Sequence, residues 1–117
     1  MKVTELICEK LDNPIIFIVK EQKTMDFHLS KEHLLVRKMY REFAENEVKP
    51  LAEELDEEER FPMETVEKMA KLGMMGIYFP KQYGGAGGDV LSYAMCVEEL
   101  AKVCGTTAVI VSAHTSL

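Results

Sequence analysis

The spacing of apolar residues after Ser30 is the feature that most constrains the fold of this chain. Leu35, Met39 and Phe43 recur four residues apart, which is the period of an α-helix that buries one face. Ser30 precedes this stripe and is a residue type that caps helix N-termini. With similar patterns further along, the sequence predicts an all-α fold with helices over residues 31–58, 63–72, 90–103 and 107–117.

The predicted helix boundaries rest on residues with special backbone chemistry. Pro50 interrupts the first apolar pattern, so we expect a kink or a restarted helix there, because proline lacks the amide proton. The other boundaries follow from capping preferences: Pro62 in the first turn of the second helix, Gly73 after its end, Asp89 as the cap of the third, Gly105 as its end, and Thr106 or Thr107 as the cap of the fourth.

The fourth predicted helix is apolar on every side over residues 108–113, apart from Ser112. A helix of that kind is normally buried, so we expect it to be the central helix, with Val109, Ile110 and Ala113 buried. No glycine, proline or basic residue closes it at Leu117. This ending indicates a chain cut in mid-helix.

Composition excludes several classes of protein. A length of 117 residues suits one domain, and a net charge of -6 with a pI near 5.1 argues against binding to nucleic acid. The three cysteines show no CxxC spacing, so they indicate neither a disulfide framework nor a zinc site, and they favour a reducing cytoplasm. The apolar run at residues 15–19 is too short to span a membrane, which takes ~20 residues.

Residues 1–24 differ in character from the rest and form an N-terminal extension. One interpretation is a short β-like segment that pairs or aggregates through residues 15–19. The other is that the extension is not native coding sequence and that Met25 is the true start. Codons for Lys20 and Glu21 can resemble a bacterial ribosome-binding site, and the nucleotide sequence distinguishes the two interpretations.

Three groups of residues invite a chemical role, and each has a plainer structural reading. The glycine-rich residues 84–88 lack the spacing of a phosphate-binding loop and read as a turn. The carboxylate pairs, Glu98 with Glu99 among them, fit solvated helix faces, and no histidine spacing makes a metal site of them. His114, in an apolar helix, is either a histidine with a structural partner or the lining of a ligand pocket.

A series of short motifs, taken in order, resembles one known family. They are residues 43–50, 56–62, 73–77, 80–88, 97–101, 105–107 and 112–117. Residues 25–117 thereby resemble the N-terminal helical domain of the flavin-dependent acyl-CoA dehydrogenases, in particular short-chain, butyryl-CoA-type bacterial enzymes. The resemblance implies an incomplete domain that stops before the family's middle β domain.

The resemblance also implies an activity and its partners. Such an enzyme oxidises an acyl-CoA to its trans-2-enoyl product with FAD, passes electrons to an electron-transfer flavoprotein and forms a homo-oligomer. In the family the catalytic glutamate and most flavin contacts come from domains absent here. The resemblance therefore places no catalytic and no cofactor-binding residue in this chain, and we expect it to be inactive alone.

The contribution that the resemblance assigns to this domain is one wall of the acyl pocket. The residues that match are Ala113, His114 and Leu117, of which the first and third lie four apart on one helix face. The alternative is a free-standing helical interaction module. We further expect the acidic residues 56–60 to be exposed, and the isolated chain to self-associate through Met69, Met74, Met75 and Tyr78 near its edges.

Overall fold

The computed structural model describes residues 27–117, and every regular element within that range is helical. The predicted all-α class is therefore confirmed. The extension at residues 1–24 and the start at Met25 lie outside the described residues. The elements are α1 (Lys31–Phe43), a π-helical turn (Ala44–Val48), α2 (Lys49–Glu57), α3 (Met63–Lys71), a 3₁₀ turn (Lys81–Tyr83), α4 (Val90–Ala101) and α5 (Gly105–Ser116).

The helix ends follow the capping chemistry at three predicted positions. The Ser30 hydroxyl accepts the His33 amide at 3.1 Å at the start of α1. Asp89 accepts the Ser92 amide at 2.8 Å at the start of α4. Gly73 follows the end of α3 with φ of 75°, a left-handed conformation that glycine adopts without steric cost. These three boundaries were predictable because caps act within a few residues.

The interruption predicted at Pro50 takes the form of a wider helical turn just before it. The backbone is π-helical over Ala44–Val48 and returns to an α-helix at Lys49. Pro50 cannot donate to the carbonyl of Asn46, and its ring would collide with that carbonyl in a regular α-helix. The wider turn relieves the collision, so the helix continues through Pro50.

The junction between α4 and α5 corrects two predicted boundaries. α4 ends at Ala101 and α5 already begins at Gly105, so neither Thr106 nor Thr107 is the cap. The Cys104 amide donates to the Leu100 carbonyl at 2.8 Å, which closes α4. Cys104 itself is extended, with φ of -149°, and the next helix starts directly after it.

The central helix is α4, and the prediction that α5 would be central is wrong. α4 packs against α1 on one side and against α5 on the other. α5 contributes only one stripe to the interior, formed by Thr107, Ala108, Val111 and Thr115. Its opposite face meets no neighbour among the described residues, and Val109 is 64% exposed. Ile110 and Ala113 are half-buried, so none of the three is fully buried as predicted.

The interior takes only part of the α1 stripe that its spacing suggested. Tyr40 and Phe43 are buried, whereas Leu35 is 69% exposed and Met39 is 38% exposed. The reason is the side from which α4 approaches. The core cluster draws buried side chains from α1, the π-helical turn, α3, the loop after α3, α4 and α5: Tyr40, Phe43, Ala44, Val48, Met69, Met74, Ile77, Cys96, Leu100, Ala108 and Val111.

Methionines predicted at the edges of the domain lie inside it. Met69 and Met74 are buried in the core, and Met75 and Tyr78 are half-buried. The sequence prediction of their exposure is wrong, because unbranched methionine side chains fill irregular gaps between helices. The acidic residues 56–59 are exposed as predicted, and Arg60 after them is half-buried.

Candidate functional site

The outer face of α5 carries the residues that the sequence singled out. Ala113 is half-buried, and His114 and Leu117 are exposed. Val109 lies four residues before Ala113 and is 64% exposed, so Val109, Ala113 and Leu117 form a continuous apolar stripe on one side of the helix. Val109 was missed as a member of this stripe because it was expected in the core.

His114 is the polar residue beside this stripe. It is exposed, and its ring makes no hydrogen bond with any residue between 27 and 117. Both interpretations of His114, a histidine with a structural partner and the lining of a ligand pocket, therefore stay predictions. His114 follows Ala113 directly, so it lies about 100° around the helix from that residue.

Two tyrosine side chains hold the last turns of α5. The Tyr78 hydroxyl donates to the Thr115 carbonyl at 2.9 Å. The Tyr93 hydroxyl lies 3.2 Å from the Ser112 hydroxyl and 3.4 Å from the Ser112 carbonyl. Both tyrosines come from outside α5, one from the loop after α3 and one from α4.

The glycine-rich loop is a turn whose amides are already in use. The amides of the four consecutive residues 85–88 donate to carbonyls within residues 76–80, at distances from 2.7 to 3.2 Å. Gly84 and Gly87 have φ of 85° and 73°, in the left-handed region. A phosphate-binding loop needs amides that point at the ligand, so this geometry supports the interpretation as a turn.

The structure contains a buried acid that sequence reasoning placed at the surface. The Glu99 side chain is only 1% exposed, whereas that of its neighbour Glu98 is 49% exposed. Arg37 Nε donates to Glu99 at 2.7 Å, Arg41 Nε at 3.1 Å and Lys102 Nζ at 2.9 Å. These donors, Arg41 first, hold the pKa of Glu99 well below its usual range despite burial. The carboxylate joins α1 to α4.

A serine, a histidine and an aspartate also meet at the N-terminal ends of α1 and α4. His33 Nδ1 lies 2.8 Å from the Ser30 hydroxyl, and His33 Nε2 lies 2.8 Å from Asp89. Hydrogen bonds from Ser92 and then His33 lower the pKa of Asp89 to about 2. The Ser30 hydroxyl accepts the His33 amide and the Asp89 carboxylate accepts the Ser92 amide, so both side chains cap helices and the arrangement links the ends of α1 and α4.

The described residues offer neither a metal site nor a membrane span. No group of three histidine, cysteine or acidic side chains between residues 27 and 117 is placed to hold a metal ion. No helix in that range is long and apolar enough to cross a membrane. A cavity of about 710 Å³ lies between the end of α2 and the start of α5 and is lined by Leu55, Arg60, Phe61 and Cys104, among others. It does not include Ala113, His114 or Leu117.

The helix order, the central α4 and the turn before it define a helical domain, and comparison with known proteins identifies its class. Residues 30–117 match the family described as acyl-CoA dehydrogenase, N-terminal domain. The chain therefore belongs to the acyl-CoA dehydrogenase family, within which it represents the N-terminal domain.

Individual relatives agree with this assignment. The chain is 73% identical over 93 residues to the short-chain specific acyl-CoA dehydrogenase of Clostridium acetobutylicum, covering 80% of this chain and 24% of that protein. It is 45% identical over 101 residues to the acryloyl-CoA reductase (NADH) of Anaerotignum propionicum. The match covers 86% of this chain and 26% of that protein.

Solved structures share the fold. Butyryl-CoA dehydrogenase from Megasphaera elsdenii matches with a TM-score of 0.70 and 38% identity, covering 76% of this chain and 24% of that one. A second solved structure comes from work on the electron-transferring flavoprotein of Acidaminococcus fermentans and flavin-based electron bifurcation. It matches with a TM-score of 0.76 and 43% identity, covering 80% of this chain and 24% of that one. The chain thus spans about a quarter of the length of these proteins.

Proposed function

We propose that residues 25–117 are the N-terminal part of an FAD-dependent acyl-CoA dehydrogenase that acts on short acyl chains, and that residues 1–24 are an extension outside this domain. The family assignment supports the reaction class, and the 73% identity to a short-chain specific dehydrogenase supports the chain length. Acyl-CoA is the substrate in this proposal.

The remaining partners are proposed on the same basis. The complete enzyme passes electrons to an electron-transfer flavoprotein and forms a homo-oligomer in the cytoplasm. The match to a structure from work on an electron-transferring flavoprotein supports the first of these. The relative named acryloyl-CoA reductase (NADH) shows that family members are also named for the reductive direction.

The single observation that carries our proposal for this domain is the outer stripe of α5. Val109, Ala113 and Leu117 present apolar surface that the described residues leave uncovered on one helix face. In a complete enzyme this face would form one wall of the acyl pocket, with His114 beside it. A straight helix face suits this role because its side chains lie at regular intervals along an extended acyl chain.

The first test changes the size of the side chains in that wall. In the full-length Clostridium acetobutylicum relative, the 93 aligned residues are replaced by those of this chain, and Ala113→Phe or Leu117→Trp is introduced. We expect kcat/KM to fall more for hexanoyl-CoA than for butyryl-CoA, because each methylene in such a pocket is worth about 1–3 kcal/mol. The ratio of the two values measures the effect.

A matched control is Ala101→Phe, an exposed alanine at the end of α4 that lies outside the stripe. It should leave the ratio unchanged. An unchanged ratio in both Ala113→Phe and Leu117→Trp would contradict the proposed pocket wall.

A second prediction concerns the chain by itself. Holding FAD takes an enclosing site with several convergent polar groups, and the loop amides at residues 85–88 are already committed to backbone carbonyls. The described residues therefore do not fit a flavin site of their own. We expect no flavin absorbance in the chain after incubation with excess FAD and gel filtration. Retained flavin that bleaches with butyryl-CoA would show that the chain is active alone.

A further inference from the structure

We propose that Tyr78 and Tyr93 are positioning residues that set the placement of the α5 stripe, and through it the acyl-chain preference of the complete enzyme. The inference rests on the proposed function of α5 as a pocket wall. It goes beyond that function because neither tyrosine lies on α5. Each acts through one hydroxyl on the last turns of the helix.

The first anchor is the bond from Tyr78 to the end of α5. The Thr115 carbonyl lies in the last turn of α5 that the structure describes. The Tyr78 hydroxyl donates to it at 2.9 Å. This bond fixes the end of the helix to the loop that follows α3.

The second anchor lies one turn earlier on the same helix. The Tyr93 hydroxyl is 3.2 Å from the Ser112 hydroxyl, and the Ser112 carbonyl also accepts from the Ser116 hydroxyl at 2.7 Å. Tyr93 belongs to α4, the central helix. The last turns of α5 are thus tied to two different elements of the domain.

The two anchors are themselves held together by their rings. Tyr78 and Tyr93 meet edge to face, with ring centroids 5.5 Å apart and planes at 86°. The ring of Tyr78 also packs on Phe79, at a centroid distance of 4.9 Å. Edge-to-face pairs have a preferred geometry, so the two hydroxyls keep a fixed spacing along α5.

Apolar packing alone would leave the last turns less well placed. The inner face there consists of Val111 and Thr115, and the Thr115 hydroxyl is buried without a hydrogen-bond partner among the described residues. Packing of this kind has no direction and permits small rotations and shifts. Ala113 lies between the two anchored residues, Ser112 and Thr115, so any rotation of that turn moves the stripe. A displacement of the pocket wall by about 1 Å shifts the bound acyl chain relative to the reacting groups, and such a misplacement lowers the rate of the reaction strongly.

The test removes each hydroxyl and keeps its ring. In the same full-length chimaera, Tyr78→Phe, Tyr93→Phe and the double variant are assayed with butyryl-CoA and hexanoyl-CoA. We expect the ratio of the two kcat/KM values to change about tenfold in the double variant, with flavin content unchanged. Tyr83→Phe is the control, because Tyr83 is 79% exposed at the end of the 3₁₀ turn before the glycine-rich loop and should leave the ratio as it is.

A second measurement separates placement from overall stability. Amide hydrogen exchange of this chain should become faster at residues 113–117 in the double variant and stay unchanged at residues 90–101 of α4. Faster exchange throughout the domain, or no change at residues 113–117, would overturn the inference by showing a general structural role or none.

The outcomes also distinguish this inference from the proposed function. If the bulky variants at Ala113 and Leu117 shift the ratio and the tyrosine variants do not, the pocket wall stands and the positioning role is overturned. If neither set shifts the ratio, the pocket wall fails and the positioning role fails with it. If both sets of variants shift the ratio and faster amide exchange is confined to residues 113–117, the pocket wall and the positioning role are both supported.

Discussion

Replacing Glu99 with alanine is expected to lower the free energy of unfolding of this chain by about 2 kcal/mol at pH 7, because a hydrogen bond to a charged group is worth about 1.5–3 kcal/mol. The Glu99 side chain is 1% exposed and accepts hydrogen bonds from Arg37, Arg41 and Lys102. Its removal leaves a void between α1 and α4 and takes away the buried carboxylate that Arg37, Arg41 and Lys102 share, whose own side chains are 29%, 58% and 48% exposed. Urea denaturation followed by circular dichroism measures the change.

The matched control is the neighbouring acid. Glu98 shares Arg37 and Lys102 as partners, but its side chain is 49% exposed. Exposed ion pairs contribute little because water screens them, so Glu98→Ala should change the free energy of unfolding much less than Glu99→Ala. Equal effects of the two substitutions would show that burial of Glu99 has no energetic consequence.

The same carboxylate predicts how stability depends on pH. The pKa of Glu99 is lowered in the folded chain, chiefly by Arg41, so the unfolded chain takes up a proton first as the pH falls. Its contribution is complete above its unfolded pKa of about 4.3 and is lost as the pH falls toward the folded value. Between about pH 5 and pH 2, Glu99→Gln should therefore lose less stability than the unchanged chain. If the free energy of unfolding fell by the same amount in Glu99→Gln and in the unchanged chain over this pH range, the prediction would be contradicted.

The second large effect is expected at the glycine-rich loop, where Gly85→Ala should lower the free energy of unfolding by about 3 kcal/mol. A Cβ at this position would lie 2.1 Å from the Phe79 carbonyl oxygen and 2.5 Å from the Phe79 Cβ. The Gly85 amide donates to the Pro80 carbonyl at 3.2 Å, so the two segments cannot separate without losing that bond. Thermal and urea denaturation both report the change.

A glycine with open space around it provides the control. An added Cβ at Gly105, the first residue of α5, would meet no atom within 4 Å. Gly105→Ala should therefore alter the free energy of unfolding by no more than about 0.5 kcal/mol. If Gly85→Ala proved as mild as Gly105→Ala, the close approach of the loop to Phe79 would not be a constraint on the fold.

Properties that depend on neighbours in sequence were predictable from the sequence. The caps Ser30 and Asp89, the left-handed Gly73 and the disturbance near Pro50 all act within one helical turn. The four-residue spacing of Ala113 and Leu117 likewise follows from helical geometry alone. Such features keep the same meaning wherever the helix packs.

Burial depended on which elements meet, and only the tertiary structure decided it. Val109 and Val111 look equivalent in an apolar helix, yet α4 covers only the side that carries Val111. Glu98 and Glu99 are chemically identical neighbours, and the approach of α1 with Arg37 and Arg41 buries one of them. The α1 stripe at Leu35 and Met39 was misassigned for the same reason.

For the candidate site, the sequence by itself determined the helix and the spacing of the residues that we propose as its wall. The tertiary structure decided which side of α5 stays uncovered, and it brought Tyr78 and Tyr93 to the end of that helix. The hydrogen bonds from Tyr78 and Tyr93 to α5 span 37 and 19 residues of sequence. Periodicity within one helix carries no information about partners at such distances, because they meet only when the helices pack.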